Sequence, residues 1–194
     1  MNYYLLECDR SLEDAVVVAC VPENGPKSYV YKKLKPMAKN FPNSAKIYYS
    51  NNYPMGIVLY DCIDNTDGIF ILSEKIKKII DQIGQKCNEF LKVEVLDHRK
   101  KLVPDANYFI LNYFDSLEFI DLKHSNVKMD TMSKDEIFEI KGDIYLNHDA
   151  IPDDTHIFRA KNWPDKYFVS ELFVNKMEES NVTGYILKKT LAHL

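Results

Sequence analysis

Two histidines and three aspartates crowd into one short stretch: His148, Asp149, Asp153, Asp154 and His156. Imidazole nitrogens beside carboxylates are ligands for a divalent metal such as zinc. The plainer reading is a polar turn, bent by Pro152, ahead of a strand, and it is preferred here. No metal or cofactor is therefore expected. The other histidines, His98, His124 and His193, are scattered. A nucleophilic thiolate needs a partner such as histidine. Cys8, Cys20, Cys62 and Cys87 have no metal-ligand spacing, and the nearest histidine along the chain to Cys87 is His98. Free thiols of a reducing compartment fit them best. The adjacent carboxylates Asp153-Asp154 and Glu178-Glu179 read as solvated faces. No nucleophile elbow, phosphate loop, His-Glu-x-x-His or dinucleotide fingerprint occurs. No catalytic residue is expected.

Arg159 is the remaining charge of interest, the last arginine of the chain and placed inside an apolar run. An arginine in a sheet pairs with a carboxylate or lays its stem on an aromatic ring. Glu171 or Asp165 is the expected partner.

The elements that position these groups include a pattern that occurs twice. Residues 68–72 run into Ser73-Glu74 and then a helical stretch; residues 166–169 run into Ser170-Glu171 and another. Each apolar run reads as a buried strand. Serine is a preferred N-cap, and glutamate beside it complements the helix dipole. Ile76, Ile79, Ile80 and Ile83 make one apolar stripe, and Gly84 supplies a stop. Phe173, Val174 and Met177 make a weaker stripe in the second copy. A helix N-terminus can also hold an anion. Here no glycine-rich loop accompanies it and the glutamate would repel a phosphate, so capping is preferred.

Further strands are expected at Tyr3–Cys8 and at residues 45–49, 56–63, 90–96, 107–113, 137–141, 144–146, 156–160 and 185–187. Gly142-Asp143 reads as a hairpin turn between the strands at 137–141 and 144–146. Residues 126–135 read as a polar loop, and the basic run Lys32-Lys33-Leu34-Lys35 as solvated. The expected class is α+β, with mixed, largely antiparallel sheets and two main helices. Residues 1–194 form one domain, in which 1–55 could be a smaller lobe sharing the core.

Hydrophobic residues at 46% and charged residues at 28% are ordinary globular values. The net charge of −4 argues against nucleic acid as a partner. No stretch has the length of a membrane span, and the first residues do not form a signal peptide. The expected location is the cytoplasm.

Several of these features, taken in order, carry a resemblance. They are residues 68–72 with Ser73-Glu74, the strand at 91–95, and residues 108–112 with Asp115 and Asp121 after them. Then come Ile157-Phe158-Arg159, Tyr167-Phe168-Val169-Ser170-Glu171 and Thr183-Gly184. From about residue 55 to 190 the chain resembles the immunity protein eleven family of bacterial polymorphic-toxin and interbacterial-competition systems. Tyr3-Tyr4-Leu5-Leu6 is similar to the family's first strand; residues 10–54 are not diagnostic. The resemblance implies a cytoplasmic, non-enzymatic protein that binds and neutralises a cognate toxin. Ser73, Glu74, Phe158, Arg159, Ser170, Glu171 and Gly184 are then scaffold. The resemblance leaves the docking surface open. The acidic segments 126–135 and 149–154, with Asp130, Asp149, Asp153 and Asp154, are the candidates for it, since a basic toxin would complement them. The alternatives are a small hydrolase or metal-dependent enzyme reversing a toxin's modification, and a plain interaction domain. The oligomeric state is left open.

Overall fold

The computed structural model describes residues 1–115 and 117–192; Ser116, His193 and Leu194 lie outside them. Its strands in chain order are β1 (Tyr3–Cys8), β2 (Val17–Val18), β3 (Ala45–Tyr48), β4 (Cys62–Asn65), β5 (Phe70–Ser73), β6 (Asn88–Leu96) and β7 (Tyr108–Tyr113). They continue as β8 (Asn126–Met129), β9 (Ile137–Lys141), β10 (Tyr145–Leu146), β11 (Ile157–Ala160), β12 (Trp163–Ser170), β13 (Tyr185–Lys189) and β14 (Leu191–Ala192). The helices are the single turn α1 (Ser28–Tyr31) and the longer α2 (Glu74–Gln82) and α3 (Glu171–Glu179).

Two main sheets carry the fold. One is antiparallel, in the order β11-β12-β1-β13; the other is mixed, in the order β2-β4-β5-β7-β6-β3, with its parallel pairs at the two edges. This is the α+β class with largely antiparallel sheets that the sequence indicates.

Side-chain alternation along the central strands splits the core in two. Phe70 and Leu72 of β5 and Leu111 and Tyr113 of β7 face the first core, which the four-stranded sheet, α2 and α3 close. Ile71 of β5 and Ile110 of β7 face the second core, closed by Val16, Tyr31 and Met37 from the first forty residues. Burial on both faces explains why β5 reads as a continuous apolar run. Helix α2 buries Ile76, Ile79 and Ile80, and α3 buries Phe173, Val174 and Met177. Gly84 follows α2 with φ of +69°, a left-handed stop.

Three expectations are corrected. Residues 126–135 are not all loop: β8 pairs antiparallel with β9, and β10 pairs with β14 rather than with β9. Gly142, at φ +83°, turns the chain away from a hairpin. The strand expected at 56–63 begins only at Cys62, because residues 57 and 58 are drawn to the Asp14 carbonyl instead. No helix among the described residues is long and apolar enough to cross a membrane.

Candidate functional site

The histidine–aspartate cluster does not converge. The His156 ring lies 3.0 Å from Ser170 Oγ, while the His148 ring stands edge-on to Tyr3 at 5.0 Å. Asp154 accepts from Lys86 Nζ at 3.0 Å. Asp149 and Asp153 face solvent. Among the described residues no group of three or more histidine, cysteine, aspartate or glutamate side chains is arranged to hold a metal. Burial lowers the pKa of His148 and His156, which disfavours their charged forms. Burial also pushes the Cys8 thiol up to about 12 and holds the Cys62 thiol well above its ordinary value, so neither supplies a thiolate at neutral pH.

The two Ser-Glu joints differ. Ser170 Oγ accepts from Phe173 N at 3.3 Å and caps α3 as expected. Ser73 stands at the equivalent position of α2 but makes no such bond. Its hydroxyl donates instead to Asp61 Oδ1 at 2.6 Å. Asp61 Oδ2 accepts from Lys75 Nζ, Thr183 N and Thr183 Oγ1 at 3.0, 2.9 and 3.0 Å. The start of α2 is thereby tied to the loop that follows α3. Gly184 sits in that loop at φ +78°, where a Cβ would come within 2.4 Å of Tyr60 Cβ. The sequence reading missed Asp61, whose only local signal is a carboxylate ahead of an apolar strand.

Arg159 does not pair with Glu171 or Asp165. Its guanidinium donates to the carbonyls of Tyr31 and Pro164 at 2.9 Å, to that of Tyr113, and to Asn112 Oδ1 at 3.3 Å. Asn112 Nδ2 then donates to Glu89 Oε2 at 3.0 Å, and Glu89 in turn accepts the N–H groups of Met37 and Ala38. The ring of Tyr167 stacks under the cation at 5.2 Å. Asp165 lies 3.9 Å from Lys32 instead, and Glu171 accepts from Asn2 at 3.0 Å. Phe158, beside Arg159 in β11, packs its ring on Phe119 at 4.9 Å.

A pronounced concavity lies elsewhere. A cleft of about 1020 Å³ opens between the ends of β1 and β12 and the ends of β4 and β5. Leu6, Phe70 and Tyr167 are buried beneath it. Six carboxylates and three cations line it. Each cation is engaged by a wall carboxylate: Arg10 with Asp64 at 2.8 Å, Lys32 with Asp165, and Lys166 with Glu7. Asp9, Glu13 and Asp67 make no ion pair among the described residues. The Ser11 hydroxyl, followed by its N–H, holds Asp9 below the usual carboxylate range, and Asp67 accepts from Val21 N at 2.8 Å.

An apolar ridge borders the cleft. Met55 is 76% exposed and Ile57 67%, and Leu102, at 63%, faces Ile57 across a shallower hollow. The ridge is pinned from both sides. Ile57 N and Val58 N donate to Asp14 O at 2.9 Å, and His98 Nε2 donates to Gly56 O at 3.1 Å. Gly56 is obligatory for this approach, since a Cβ there would meet Ala15 O at 2.5 Å.

The acidic residues singled out in the sequence differ in what holds them. Asp130 is half-buried and spends Oδ1 on Met132 N and Ser133 N, which holds it below the usual carboxylate range. Asp154 is paired with Lys86.

A model of the immunity protein family (Imm11) matches residues 3–191, a longer span than the sequence motifs mark out. Comparison with curated proteins finds no match.

Proposed function

We propose, on the premise that the chain belongs to the immunity protein family (Imm11), that it binds a cognate bacterial toxin and neutralises it by occupancy, without catalysis. The observation that carries this reading is a family match running from the first strand to the last. A non-catalytic mode is supported by the dispersal of the imidazoles and by the high pKa of the Cys8 and Cys62 thiols. The reading puts the protein in the cytoplasm of the cell it protects, in keeping with four free cysteines.

Co-expression with the toxin encoded beside this chain tests it. Growth should be restored, and affinity capture should recover the two proteins together. Failure of both overturns the reading. A His148→Ala, His156→Ala double variant that folds should still protect. Loss of protection with the complex intact would instead point to chemistry at those imidazoles.

A further inference from the structure

We propose that the cleft beside β1 and β5, with the ridge formed by Met55 and Ile57, is the toxin-docking surface, and that it takes a segment bearing basic side chains flanked by apolar ones. The inference rests on the immunity reading and adds to it the place and chemistry of the contact. Charge is the first argument. Arg10, Lys32 and Lys166 are all neutralised by wall carboxylates, which leaves Asp9, Glu13 and Asp67 as the field a partner meets. A concave, low-dielectric wall focuses such a field, and a lysine or arginine entering it meets carboxylates already held in place.

The ridge is the second argument. Large apolar side chains exposed together mark contact surfaces on soluble proteins. Here their backbone is fixed by Asp14 and His98, so docking would order little that is not already ordered. Buried apolar anchors ringed by charge are the usual anatomy of a tight interface. The acidic loops fit less well, because Asp154 is neutralised by Lys86 and Asp130 is committed to its own turn.

The two parts make separable predictions for binding of the toxin encoded beside this chain. Glu13 is exposed and its side chain makes no hydrogen bond or ion pair among the described residues, so Glu13→Lys should slow association about tenfold at low salt, and the effect should shrink as salt rises. Asp67→Asn keeps the acceptor for Val21 N and should slow association less. Met55→Ala with Ile57→Ala should speed dissociation about tenfold or more. Asp149→Lys and Asp153→Lys serve as controls and should change neither rate beyond about twofold. Wild-type binding that the cleft and ridge variants leave unchanged overturns this inference alone, as does a loss confined to the Asp149 and Asp153 variants. A wild-type chain that binds no toxin overturns the immunity reading and this inference with it.

Discussion

Ser73 Oγ donates to Asp61 Oδ1 at 2.6 Å, and the other oxygen of the same carboxylate accepts from Thr183, 122 positions further on. The serine ahead of α2 therefore serves a long-range tie rather than a local cap. Lys75, the second residue of α2, completes the tie by donating both to Asp61 and to the Asn181 carbonyl. Asp61 is buried, so its bonds are made away from bulk water, where an unmade one is costly.

Asp61→Ala should cost about 3 kcal/mol, because it orphans the Ser73 hydroxyl and the Thr183 N–H together. Burial alone would raise the pKa of Asp61, but bonds from Ser73, Lys75 and Thr183 outweigh it and the net direction is down. Its contribution is then fully present above the unfolded value, near ~3.9, and is lost as pH falls through the lower folded value. Denaturant unfolding at pH 7 and at pH 3 should show a smaller gap for Asp61→Asn than for the wild type.

Gly184→Ala should destabilise the same joint. A methyl at this position meets Tyr60 Cβ at 2.4 Å and Cys62 O at 3.0 Å, in a backbone conformation that L residues resist. A cost of about 2 kcal/mol or more is expected. The Gly84→Ala variant is the control, since its Cβ meets nothing and only the φ penalty remains. A thermal melt of both separates crowding from strain.

Locally encoded elements are legible in the sequence. The isoleucine stripe of α2 and the β1 strand follow from periodicity, and both stand where periodicity puts them. What escaped depends on distant partners. β8, with its polar sequence, is a strand because β9 pairs with it, and no propensity of residues 126–129 says so. Ser73 and Ser170 are alike in sequence, yet Asp61, twelve residues before Ser73, draws its hydroxyl away from the cap. The cleft is assembled from the ends of strands and from loops at residues 9–15 and 53–56, so no single segment announces it.

Arg159→Lys should be nearly as damaging as removal of the charge. The guanidinium spans carbonyls on α1, β7 and β12 at once, and an ammonium point charge cannot reach all of them. A loss of about 3–5 kcal/mol is expected for Arg159→Met, which strands those carbonyls, and only slightly less for Arg159→Lys. By contrast Tyr31→Phe should be near neutral, because the buried Tyr31 hydroxyl has no hydrogen-bond partner among the described residues and Arg159 uses the carbonyl of Tyr31. Urea midpoints for the three variants check the ordering.

His148→Phe should make the protein less sensitive to mild acid. Burial, followed by the charge of the N-terminus, lowers the pKa of His148, with Asp149 acting weakly in the other direction. A histidine depressed in this way costs nothing above the unfolded value, near ~6.5, where both states are neutral. Below it the unfolded chain takes up a proton first, so stability falls with pH until the folded value is reached. His156 acts with the same sign, so the wild type should lose melting temperature between pH 7 and pH 5 and the single variant should lose less. Phenylalanine keeps the edge-on contact with Tyr3 and removes a buried Nε2 that has no hydrogen-bond partner among the described residues, so stability at pH 7 should be unchanged or raised by about 1 kcal/mol. An equal slope in both proteins would assign the acid sensitivity to His156 or to the carboxylates.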